Sequence, residues 1–157
     1  MRTFRRGRGH NVPSQHQSHH LIPVGVFSCA AFGHSFERLR GDGFDVSNFV
    51  HNGIFLPSTE AAAMRARMPL HRGPHRRYNE LVGHRVAAIL REMDAGHPHF
   101  HARCDAVERL KLLTAALRNT LHRRHPPISL NQRDPFAGKV DFSDLDSACD
   151  MLWSATK

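Results

Sequence analysis

Lysine is almost missing from this chain. It occurs only at Lys111, Lys139 and Lys157, so arginine carries nearly all of the positive charge. Cysteine is equally sparse: Cys29, Cys104 and Cys149 are far apart and form no CxxC pair. An odd, scattered set of this kind excludes a disulfide framework and a Cys-based zinc site, and it suits free, partly buried thiols in a reducing compartment such as cytoplasm. No apolar run approaches the ~20 residues needed to cross a bilayer as a helix. The basic N-terminus is not followed by an apolar stretch and cleavage site, which argues against a secretory signal. Export, if it happens, is then expected by a signal-independent route or as part of something larger.

What is present is enough for one hydrophobic core: 157 residues, 40% of them apolar. Lys and Arg outnumber Asp and Glu by 22 to 14, a formal charge of +8. That balance favours polyanionic partners, and arginine suits bidentate phosphate contacts. Charge alone fits ribosome-associated and membrane-surface proteins as well. Fourteen histidines are the more specific sign.

Along the chain, residues 1–17 are polar and read as a basic flexible arm, with Arg5-Arg6-Gly7-Arg8 as a solvated tail. Leu21-Ile22-Pro23-Val24 reads as a short strand or its end, and Val26 to Leu39 as a helix closed by Gly41. A helical turn at Asp45–Phe49 leads to the Asn52-Gly53 turn signal. Ile54-Phe55-Leu56 is a second strand stopped by Pro57. Ser58 or Thr59 can cap a helix over Ala61–Arg67. After a loop at 69–74, Tyr78, Leu81, Val82, Val86, Ile89, Leu90 and Met93 step by three and four as one helical face, ended by Gly96 and Pro98. Val107, Leu110, Leu113, Leu117 and Leu121 mark a second strong helix over about 105–124, stopped by Pro126-Pro127. That face reads as core packing. Residues 128–139 look irregular, and Ser143 can cap a last helix carrying Leu145, Cys149, Leu152 and Trp153. There is no internal repeat.

Three polar groups stand in a telling order: His19-His20, then Asn52-Gly53, then His71-x3-His75 leading into a helix. A metal-dependent phosphodiesterase needs such pieces. Neutral imidazoles hold a divalent cation beside the scissile phosphate. A further imidazole, titrating near ~6.5 and free of metal, can take a proton from attacking water. An amide can fix that ring's tautomer through its other nitrogen. Neighbouring side chains of a strand point to opposite faces, so His19 and His20 cannot both face one ion. By itself the His pair is an ordinary solvated polar pair; the order of the three groups gives it weight.

Ser18-His19-His20-Leu21-Ile22-Pro23, Gly43-Phe44-Asp45, Asn52-Gly53-Ile54-Phe55-Leu56-Pro57 and Leu70-His71-Arg72-Gly73-Pro74-His75-Arg76-Arg77-Tyr78-Asn79 closely resemble the AHH family, a branch of the HNH/endonuclease VII nucleases found as toxin domains of bacterial polymorphic-toxin systems. The likeness runs from about 17 to 93, with Ser18 where the family has Ala. It implies an α+β, mostly α fold: a ββα-metal core over about 18–93 and a helical part over 94–157, forming a single nuclease domain over 18–157. It implies His19, His71 and His75 as metal ligands, His20 as general base and Asn52 as the residue that orients His20. His75 and Asn79, at i and i+4, remain the other ligand pairing, which would leave His71 as a loop partner to phosphate. Arg72, Arg76 and Arg77 are candidates for binding DNA phosphates.

The resemblance further implies one divalent ion (Mg, Mn, Zn or Ni), DNA as substrate with little sequence preference, and a role as an antibacterial toxin. Such a toxin would be delivered by a secretion system into the cytoplasm of a target cell and matched by a cognate immunity protein. A non-catalytic, metal-stabilised nucleic-acid-binding module, a ribonuclease on the same scaffold and an inactive copy are the alternatives. The tract His97-Pro98-His99-Phe100-His101 reads as an exposed loop, and His34, His51 and His84 as surface residues.

Overall fold

The computed structural model describes residues 12–95, 100–122, 129–130 and 134–136, together with positions 147, 150, 151 and 154, which are helical. The Arg5–Arg8 tail, the breaker pairs at 96–98 and 126–127, most of the 97–101 tract, and the Ser143 cap with Leu145, Cys149, Leu152 and Trp153 lie outside these residues. The chain order is β1 (His16–His20), α1 (Val24–Phe27), α2 (Ala30–Gly41), α3 (Phe49–Asn52), β2 (Gly53–Pro57), α4 (Glu60–Ala66), α5 (Arg76–Ala95) and α6 (Phe100–His122). It is a mostly helical α+β architecture with one small antiparallel sheet, as expected.

β1 and β2 pair in the register His16↔Pro57, His19↔Ile54 and His20↔Gly53. The first strand therefore lies upstream of its expected place. It contains the His pair, and the Leu21–Pro23 run forms the exit from the strand. Its start at His16 takes the last two residues of the expected arm. Asn52-Gly53 is likewise no two-residue turn: Asn52 closes α3 and Gly53 opens β2. Residues 21–52, carrying three helices, connect the two strands.

The helix expected over 26–39 is interrupted at Ser28-Cys29. Cys29 is the extended N-cap of α2, and its thiol is exposed instead of partly buried. Cys104 is also a free thiol, half-buried in α6. Thr59, as expected, caps α4 by accepting from Ala62 N–H.

The core forms where α5 and α6 pack over the sheet exit. Tyr78, Val82, Val86, Ile89, Leu90 and Met93 of α5 meet Val107, Leu110, Leu113, Leu117 and Leu121 of α6. The periodicity of both helices follows from this burial, and the leucine face of α6 is core. Leu21, Ile22, Phe44 and Leu56 fill the space between sheet and helices. Since α5 is anchored along this face, its N-terminal end is fixed beside β1. His34, His51, His84 and His101 are exposed. Among the described residues no helix is long and apolar enough to cross a membrane.

Candidate metal centre

β1 alternates, and its two faces differ. His19 is buried at 6% exposure on the face turned to α5, whereas His20 is half-buried on the other. The His20 ring sits between Phe27 and Phe49, with centroids at 6.0 and 6.4 Å. Gly53, opposite His20, leaves room for this arrangement: a Cβ there would collide with the Phe49 ring.

On the inner face His19, His71 and His75 converge. Ring centroids are separated by 5.0 Å (19–71), 5.5 Å (19–75) and 5.0 Å (71–75). One nitrogen from each ring can be chosen so that all three lie within 4.8 Å of one another. His71 leaves the chain after His71 N–H donates to Pro57 O of β2 at 2.7 Å. Gly73, at a φ of +86° that disfavours side-chain-bearing residues, then turns the loop back. His75 stands just before α5, and its carbonyl accepts Asn79 N–H at 2.9 Å as the first helical bond. Asn79 itself is exposed. The structure thus brings together the trio with His71.

His19 Nε2 and His75 Nδ1 are buried and have no hydrogen-bond partner. Leaving such atoms unsatisfied costs about 1–3 kcal/mol each, so both call for a ligand. Gln17, on the same face of β1 as His19, places Oε1 3.0 Å from His71 Nδ1. An amide oxygen only accepts, so Nδ1 carries the proton and the lone pair of His71 resides on Nε2. Burial, with His71 and His75 adding to it, drives the His19 imidazole down to about 3. Burial and then His71 lower His75 to about 4, against a backbone hydrogen bond with Leu130. Burial alone lowers His71 and His20. All four rings are therefore neutral near pH 7, the form that binds a metal or accepts a proton. An all-imidazole trio with orphaned nitrogens fits a divalent ion.

Asn52 does something different from what was expected. It is fully buried, and its amide is engaged with backbone: Oδ1 accepts from Ile22 N–H at 2.6 Å, and Nδ2 donates to Ile22 O at 3.0 Å and Val46 O at 2.9 Å. Its own carbonyl accepts Leu21 N–H at 3.0 Å. No hydrogen bond joins it to His20, so it fixes the backbone just after His20 rather than the ring. Tyr78 assists, its hydroxyl donating to Leu21 O at 2.7 Å while its ring stands 5.3 Å from His19.

Arg72, Arg76 and Arg77 are exposed around the loop and the start of α5. Gln17, Ser58, Thr59, Glu60, His71, Arg72 and Gly73 line an open cavity of about 430 Å³ beside the trio. Sequence reasoning missed the contact of Gln17 with His71, whose only signal is the i, i+2 spacing of Gln17 from His19.

A nuclease family of the HNH/ENDO VII superfamily, with a conserved AHH motif, matches residues 1–117. The chain belongs to that family, with Ser18-His19-His20 in place of the motif's AHH. Comparison with curated proteins and with solved structures gives no match.

Proposed function

We propose that the chain is a metal-dependent endonuclease that hydrolyses DNA phosphodiester bonds with little sequence preference. The convergence of three neutral imidazoles, two with buried and unpartnered nitrogens, carries this reading. His19, His71 and His75 would hold one divalent ion. The donor set is nitrogen throughout, which suits Zn²⁺ or Ni²⁺ better than Mg²⁺, a hard ion that prefers oxygen ligands. Bound there, the ion supplies charge withdrawal from a phosphoryl oxygen and stabilisation of the leaving oxygen.

The side chains divide the remaining work. His20 is kept neutral by burial and is separate from the ligand trio, so its free lone pair can take a proton from attacking water. Asn52 holds the strand exit that aims it. Gln17 holds the His71 tautomer. Arg72, Arg76 and Arg77 present exposed guanidinium groups to phosphates on either side of the cleaved one. As the resemblance of its motifs to the AHH family implies, the chain would act as an antibacterial toxin, delivered by a secretion system to the target-cell cytoplasm and neutralised by an immunity protein.

The test is incubation of purified protein with plasmid and with structured RNA, with Zn²⁺, Ni²⁺, Mn²⁺ or Mg²⁺ or with chelator. Plasmid cleavage restored by Zn²⁺ or Ni²⁺ after chelation is expected. Cleavage of RNA alone would make the protein a ribonuclease, and binding without cleavage under every condition would reduce it to a nucleic-acid-binding module.

A further inference from the structure

The family match stops at residue 117, yet two side chains beyond it reach back to the site. Arg118 Nη2 donates to the carbonyls of Val50, His51 and Gly53 at 3.0, 3.1 and 3.3 Å, closing the end of α3 around Asn52. Asp134 does more. It is 4% exposed, and among the described residues its carboxylate accepts from backbone N–H groups alone: Leu70 at 2.9 Å and Leu130 at 3.4 Å on Oδ2, and Phe136 at 3.1 Å on Oδ1. Among the described residues no cation pairs with it.

Burying an unpaired carboxylate is costly, and a neutral amide would be easier to bury. An amide, however, accepts at one oxygen only, whereas these three N–H groups need both. One of the tethered positions bears on the trio: Leu70 directly precedes His71. Pro57 O holds the His71 loop from the sheet side, so Asp134 supplies the opposing restraint.

We propose that Asp134 is a positioning residue of the metal centre, holding the backbone at Leu70 and so setting where the next residue, His71, meets the other two ligands. The inference rests on reading His19, His71 and His75 as metal ligands. It makes a residue beyond the family match part of the working site.

Co²⁺ titration of the full chain, followed by visible absorption and chelator competition, tests it without relying on cleavage. Asp134→Ala is expected to weaken Co²⁺ binding about ten- to a hundredfold, as removal of outer supports of metal ligands does. Asp134→Asn, retaining one acceptor, should fall between it and the wild type. A purely structural role would lower the apo melting temperature of these variants but leave Co²⁺ affinity and absorption at the wild-type values well below it; that result overturns the proposal.

Should neither variant fold, the wild type decides. Zn²⁺ binding is expected to slow hydrogen exchange at the Leu70 and Leu130 amides, and unchanged exchange at both overturns the proposal. A wild type that binds no Co²⁺ or Zn²⁺ would sink the metal reading itself, whereas equal binding by wild type and variants sinks only Asp134.

Discussion

The two faces of β1 carry adjacent histidines with opposite surroundings. His19 looks inward to two more imidazoles and the Tyr78 ring, with a buried nitrogen that has no partner. His20 looks outward between Phe27 and Phe49, half-buried and separate from the cluster. On the proposed reading the same side chain, one peptide unit apart, serves as ligand on one side and base on the other, and the pleat of the strand separates the two jobs.

The largest effect should come from the outer face. His20→Ala is expected to slow plasmid cleavage about 10²–10⁴-fold while leaving Co²⁺ affinity unchanged. Loss of metal binding in that variant would erase the division between the faces. Next comes the inner face: His75→Ala should weaken Co²⁺ binding by more than the about ten- to hundredfold typical of outer-shell changes, and chelator competition measures it. Wild-type affinity there would remove His75 from the trio.

Asn52→Ala probes the joint between the faces. Its three backbone partners at Ile22 and Val46 would be left unsatisfied, at a cost of about 3 kcal/mol read by urea unfolding. A variant as stable as wild type would show that the amide does not hold the strand exit.

Acid should distinguish the faces more gently. His19 and His75 titrate at about 3 and about 4 when folded, below the ordinary 6.5. The unfolded chain takes up protons first, so apo stability is full above pH 6.5 and falls as pH drops from there toward 4 and 3. His19→Gln should flatten that fall more than His20→Gln, since burial of His19 is deeper and three like rings add to it. Equal flattening would contradict the contrast. The smallest effect is at Arg72: Arg72→Ala should reduce the salt slope of DNA binding by roughly one, measured by fluorescence anisotropy.

How much could be read from the chain alone varied by residue. Tyr78, Val82, Val86, Ile89, Leu90 and Met93 were legible as one face because helical burial writes a period into sequence. The order His19-His20, Asn52, His71–His75 was legible as a candidate site because each member lies in a short local motif. Strand placement was less so: the polar run His16–His20 has no alternating apolar face, and the apolar Leu21-Ile22 beside it is buried as an exit loop. Asn52 shows the same limit. Its partners, 30 residues away at Ile22 and 6 away at Val46, are set by how the loop folds back.

Sequence by itself determined the two long helices, the polar composition of the site and the family, since these depend on local periodicity, residue chemistry and motif order. Only the tertiary structure decided which rings meet. His19, His71 and His75 come from a strand, a loop and the start of α5, and their distances depend on packing across the core. It alone placed Asp134 under Leu70, 64 residues away. A buried carboxylate whose described partners are backbone N–H groups leaves no pattern in the sequence around it, because such partners carry their donors whatever their side chains are.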